Sequence, residues 1–76
     1  MELIDFISKF ASQFEDTDLS EFKAETEFKN LDEWSSLMSL SIIAMADEEF
    51  DMKVKGEDIK NANTIEELYN IIKNRE

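Results

Sequence analysis

The chain has no cysteine, no histidine, no proline and a single glycine. Without cysteine a disulfide-stapled scaffold is excluded, although the redox compartment stays open. Without either cysteine or histidine there is no Cys/His zinc site, and neither a Ser-His nor a Cys-His nucleophile can be assembled. The lack of proline, with Gly56 standing alone, removes the punctuation of a strand-and-turn protein and any glycine-rich phosphate loop. Basic residues are also scarce. Eight Lys and Arg face 19 Asp and Glu, for a formal net charge of −11. That field repels a phosphate backbone, so nucleic acid is not an expected partner, and it attracts basic protein surfaces. It also serves to keep a small protein soluble. The longest apolar run, Ile42 to Ala46, is too short to span a bilayer, and Glu2 and Asp5 occupy the place where a signal peptide carries positive charge. The expectation is one domain over residues 1–76, monomeric and cytoplasmic, with no membrane insertion.

What is present has helical periodicity. Leu3, Ile7, Phe10 and Phe14 recur at helical spacing, widened by Ile4, Phe6 and Ala11, which predicts a first helix over about residues 2–15. Residues 16–35 are irregular, with Leu19, Phe22, Phe28, Leu31 and Trp34 scattered among charges. They read as a long loop pinned by apolar anchors, with a helical turn near Leu19 to Phe22. A second helix is expected from Ser35 or Ser36 to about Phe50, since serine is a favoured N-cap. On its wheel Ser39, Ile42, Ile43, Ala46 and Phe50 form the inner side. Leu37, Ser41, Ala44, Met45 and Glu48 form the outer side, with Met38 at the border. Asp51 to Gly56 is expected to be a loop anchored by Val54, and Glu57 to Ala62 a short helix with Ile59 and Ala62 inward. Thr64 and Glu67 make a capping box for a last helix, whose stripe is Ile65, Leu68, Tyr69 and Ile72. Lys73 and Arg75 suit its C-terminal dipole. The fold class is therefore all-α: a small antiparallel bundle of three main helices and one short one, with a long loop between the first two.

Catalytic chemistry finds little footing. Asp47, Glu48, Glu49 and Asp51 lack the alternating ligands and central glycine of a calcium loop, and read as a solvated acidic helix end with no metal. What remains is Asp32-Glu33-Trp34-Ser35-Ser36-Leu37-Met38. This segment resembles the acyl carrier protein family, whose second helix opens on Asp-Ser-Leu; here the triplet is Ser35-Ser36-Leu37. The acidic stretch ending in Phe50, the apolar Val54 after it, the short third helix and Thr64 opening the last helix extend the resemblance over residues 28–73. Trp34 matches a variant that places tryptophan ahead of the triplet.

The resemblance implies a carrier rather than an enzyme. Ser36 is the implied attachment point for 4′-phosphopantetheine, transferred from coenzyme A by a phosphopantetheinyl transferase, with Ser35 and Leu37 as flanking recognition residues. The arm then carries acyl or aminoacyl thioesters in a fatty-acid, secondary-metabolite or cell-envelope pathway. The implied partners are acyl-loading and acyl-processing enzymes with basic surfaces, met by Trp34, Leu37, Met38, Ser41, Met45 and Glu48. Phe28 and Trp34 also read as loop anchors. Two departures matter. Ser35 stands where the family has an aspartate that transferases read, with Asp32 and Glu33 just upstream to supply charge. The first half of the second helix is neutral where the family is acidic. The alternative function is an acidic interaction module of the same fold that bears no arm.

Overall fold

The computed structural model describes residues 2–75. Four α-helices are formed: α1 (Leu3–Ala11), α2 (Ser36–Phe50), α3 (Gly56–Asn61) and α4 (Ile65–Lys73). Two single 3-10 turns, Leu19–Glu21 and Phe28–Asn30, interrupt the long first connection. No strand occurs among the described residues. The helices close a ring in which α1 packs on α2 and α4, and α3 on α2 and α4. The all-helical bundle expected from the periodicity is thus present.

α1 ends earlier than its apolar stripe suggests. Ser12 is its C-cap, and Phe14 stays in the core through a turn in which its N–H donates to Ala11 O at 3.0 Å. The long connection is held by aromatic packing. Phe10, on α1, has the rings of Phe14, Phe22, Phe28 and Trp34 at centroid distances of 5.7, 6.4, 5.4 and 6.5 Å. Ring burial of this kind supplies both apolar area and geometric preference, so it fixes a loop that lacks regular hydrogen bonding. The connection also caps α4, because the N–H groups of Ile65 and Glu66 donate to Thr26 O and Ala24 O. Thr64 and Glu67 form the expected capping box, and Ile65, Leu68 and Ile72 are fully buried.

α2 is apolar nearly all round, and its buried face is rotated from the predicted one. Met45 is 2% exposed and packs in the core with Ile42 and Ala46, while Met38 packs against that core from its border position. The rotation is about half of the ~100° between successive residues. It turns Leu40 outward, at 62% exposure, while Leu37, expected on the outer side, is 71% exposed. The assignment of Met45 to the outer, partner-facing side is therefore corrected. Phe50 is only half-buried, its ring 6.2 Å from that of Phe6. α2 stops at Asp51, which takes the left-handed conformation (φ 54°), with the Met52 N–H returning to Ala46 O. This is the cap geometry in which glycine is usual and Asp is tolerated.

Gly56 opens α3 rather than ending the preceding loop. Asp58 is buried; its carboxylate accepts from Lys55 N–H at 2.8 Å and from both Arg75 guanidinium nitrogens at 2.6 and 2.5 Å. Arg75, expected to serve the α4 dipole, instead ties the chain beyond α4 to α3, and it donates as well to Lys53 O. The guanidinium beside it holds the Asp58 carboxyl below its ordinary value.

Candidate functional site

Ser35 is the N-cap of α2. Its backbone is extended, its hydroxyl accepts from the Met38 N–H at 3.3 Å, and its carbonyl accepts from the Ser39 N–H at 3.1 Å. This division of labour leaves Ser36 at the first helical position, exposed, with its own hydroxyl in no hydrogen bond among the described residues. Among the described residues the N–H groups of Ser36 and Leu37 have no backbone partner, as expected for the first turn of a helix. No acidic residue lies in that turn. An anion attached to the Ser36 Oγ would therefore meet free N–H donors and the positive end of the helix dipole, without a like charge from the same turn.

The lead-in to this serine is rigidly placed. The Trp34 ring is half-buried against Phe28 at 4.9 Å and stacks on Phe10 and Phe14, and the backbone N–H of Trp34 donates to Leu31 O at 2.9 Å. Trp34 thus acts first as a loop anchor. Glu33 is committed as well. Its carboxylate accepts from the N–H groups of Glu15 (3.2 Å) and Asp16 (3.0 Å) and from the Thr17 hydroxyl (2.6 Å). The Thr17 hydroxyl is the main cause holding its carboxyl below the ordinary value. Glu33 is therefore not the spare acid that could stand in for aspartate at Ser35; Asp32, which is exposed, remains for that part.

Beyond Ser36, the solvent face of α2 carries Leu37, Leu40 and Ala44, then Asp47 and Glu48. Ser41 lies at its edge, half-buried. Of the residues proposed for partner contact, Leu37 and Glu48 lie on this face, whereas Met45 is interior and Met38 and Trp34 are largely occupied by packing. Leu40 was missing from the predicted set. Its signal was its place one helical turn after Leu37, which an apolar wheel does not distinguish from core. Of the acidic cluster, Asp47 pairs with Lys53 at 3.9 Å and Glu49 with Lys9 of α1 at 3.2 Å. No group of three or more acids with metal-holding geometry occurs among the described residues. No helix there is long and apolar enough to cross a membrane.

A family model described as a phosphopantetheine attachment site matches residues 5–72, from the third residue of α1 to the last but one of α4. No match was found among curated proteins or solved structures. Domains of this kind are non-catalytic carriers to which 4′-phosphopantetheine is covalently attached, and they work with a phosphopantetheinyl transferase and with enzymes that process the cargo. With the carrier-like bundle, the motif at the head of α2 and a match over almost the whole chain, the protein belongs to the phosphopantetheine-attachment family, as an acyl-carrier-like protein.

Proposed function

We propose that the protein carries acyl or aminoacyl groups as thioesters on a phosphopantetheine arm joined to Ser36, and delivers them between separate enzymes of a fatty-acid, secondary-metabolite or cell-envelope pathway. The observation that carries this reading is the free, exposed Ser36 hydroxyl at the first position of α2, beside two unpartnered N–H groups. In loading, Ser36 Oγ attacks the pyrophosphate of coenzyme A. An O–P bond forms, the adenosine bisphosphate half departs, and the hydroxyl proton passes to a base on the transferase. The new phosphodiester rests on the N–H groups of the first turn. When bound, the arm supplies the thiol that this cysteine-free chain lacks.

The α2 face suits a partner surface that is apolar near the serine, against Leu37 and Leu40, and basic farther along, against Asp47 and Glu48. Ser35 fixes the end of the helix and Ser41 borders the face. The proposed carrier acts as a single-domain monomer in the cytoplasm, its charge of −11 holding copies apart. Intact mass after incubation with coenzyme A and a broad-specificity transferase tests the assignment. One phosphopantetheine is expected on the wild type and none on Ser36→Ala, which should lose no more than about 0.5 kcal/mol because the hydroxyl is exposed. Modification that survives in Ser36→Ala, or that maps to Ser35, would overturn it.

A further inference from the structure

We propose that Glu33 is a positioning residue for Ser36: its carboxylate latches the end of the long connection onto its beginning, and so sets the lead-in from which the serine is presented. The proposal rests on the reading of Ser36 as the attachment residue. Oε2 of Glu33 accepts from the Glu15 N–H, and Oε1 from the Asp16 N–H and the Thr17 hydroxyl, across 16 to 18 residues of sequence. Only Trp34 and Ser35 separate this grip from Ser36, and both are restrained, Trp34 by its ring contacts and its bond to Leu31 O, Ser35 by capping α2.

The charge environment makes the latch informative. Glu33 lines an open groove of about 510 Å³ together with Asp16, Asp18, Glu21 and Asp32. A carboxylate with no structural duty would be driven outward by those neighbours. Here the two N–H groups and the hydroxyl hold it in place, and among the described residues no Lys or Arg pairs with it. Its lowered carboxyl pKa, caused first by the Thr17 hydroxyl, is consistent with donors prevailing over repulsion.

If the latch opens, the lead-in samples more conformations, and only the fraction with Ser36 correctly placed binds the transferase. The apparent affinity for the carrier falls by that fraction, while the rate from the bound complex is unchanged. Two variants separate positioning from recognition. Glu33→Gln keeps one acceptor oxygen but turns an amide NH2 toward a donor. Thr17→Val removes the hydroxyl from the far side and leaves the Glu33 charge intact. With coenzyme A and a broad-specificity transferase, both variants should raise KM for the carrier about threefold to tenfold at unchanged kcat, for a competent fraction between about a third and a tenth. Hydrogen exchange of the Asp16, Trp34 and Met38 amides, followed by NMR on the folded variants, should quicken in both. An increase in KM confined to Glu33→Gln would make Glu33 a charge read by the transferase and overturn the proposal, as would unchanged KM in both. If even the wild type accepts no phosphopantetheine, the reading of Ser36 fails, and amide exchange still decides the latch: protection at Trp34 and Met38 unaltered by either variant would refute it. Should Glu33→Gln fail to fold, Thr17→Val carries the test alone.

Discussion

Truncating Met45 should destabilise the protein far more than truncating Leu40, although both are long apolar residues of α2 in a segment that reads as apolar all round. Met45 is 2% exposed and Leu40 is 62% exposed. Replacing Met45 by alanine removes Cγ, Sδ and Cε from the interior, and three groups at about 0.8 kcal/mol each give about 2.4 kcal/mol of lost transfer energy. The cavity left between Ile42, Ala46 and their neighbours adds to this, so a total of about 2.5–4 kcal/mol is expected. Leu40→Ala should stay within about 0.5 kcal/mol, because its side chain is largely hydrated in the native state and alanine is the better helix former. For a domain of this size each kcal/mol shifts Tm by about 4–8 °C, so the two variants should melt at least 8 °C apart by this estimate. Urea unfolding followed by helical circular dichroism, with Trp34 fluorescence as a second probe, gives the free energies by linear extrapolation. Equal destabilisation, or a larger effect at Leu40, would refute the orientation of α2 and with it the docking face built on Leu37 and Leu40.

The same helix shows where sequence reasoning succeeds and where it loses information. Its ends are chemically marked: Ser35 caps one, and the acidic run to Asp51 closes the other, so a helix from Ser35 or Ser36 to about Phe50 was legible, and Ser36–Phe50 is what forms. Its rotation was not, because an amphipathic argument needs a polar face and α2 offers none until Asp47. α1 and α4 have sharp stripes and were read correctly on that ground, apart from Ile4, which the stripe included but which is 75% exposed, and the early end of α1, where a turn imitates helical spacing up to Phe14. The capping role of Ser35 was legible because capping is a local property, whereas the reading of Ser36 as the attachment residue came from the family resemblance. The second duties of polar residues were hidden, since they depend on partners distant in sequence. Glu33 reaches back to residues 15–17, and Arg75 reaches Asp58 across the turn between α3 and α4. Neither pairing has a periodicity to betray it.

Other expectations follow from individual contacts. Asp58→Asn should lower stability at neutral pH: the native carboxyl titrates below its ordinary value of 3.8, so its contribution is present above that value and is lost as pH falls through the folded-state value. Urea midpoints of wild type and variant should therefore differ at pH 7 and converge in strong acid, and a gap that persists there would assign the effect to packing. Added NaCl should raise Tm from its low-salt value, because screening over a Debye length of about 8 Å at physiological ionic strength relieves the repulsion of a net charge of −11; a falling Tm would mean that pairs such as Lys9–Glu49 prevail. The last expectation concerns Ser35. A transferase that presents a basic group to the acid ordinarily found before the modified serine meets a neutral hydroxyl here, already bonded to the Met38 N–H. The nearest acid, Glu33, is spent on the loop. Restoring one charge-assisted hydrogen bond is worth about 1.5–3 kcal/mol, so Ser35→Asp should be modified roughly ten- to a hundredfold more efficiently by a transferase of ordinary fatty-acid synthesis. Aspartate caps a helix as well as serine does, so Tm should barely move, and a change in rate can be credited to recognition. Equal rates for wild type and Ser35→Asp would show that Asp32 already provides the charge or that the enzyme does not read this position, and exchanging Asp32 for asparagine in the wild type would then tell the two apart.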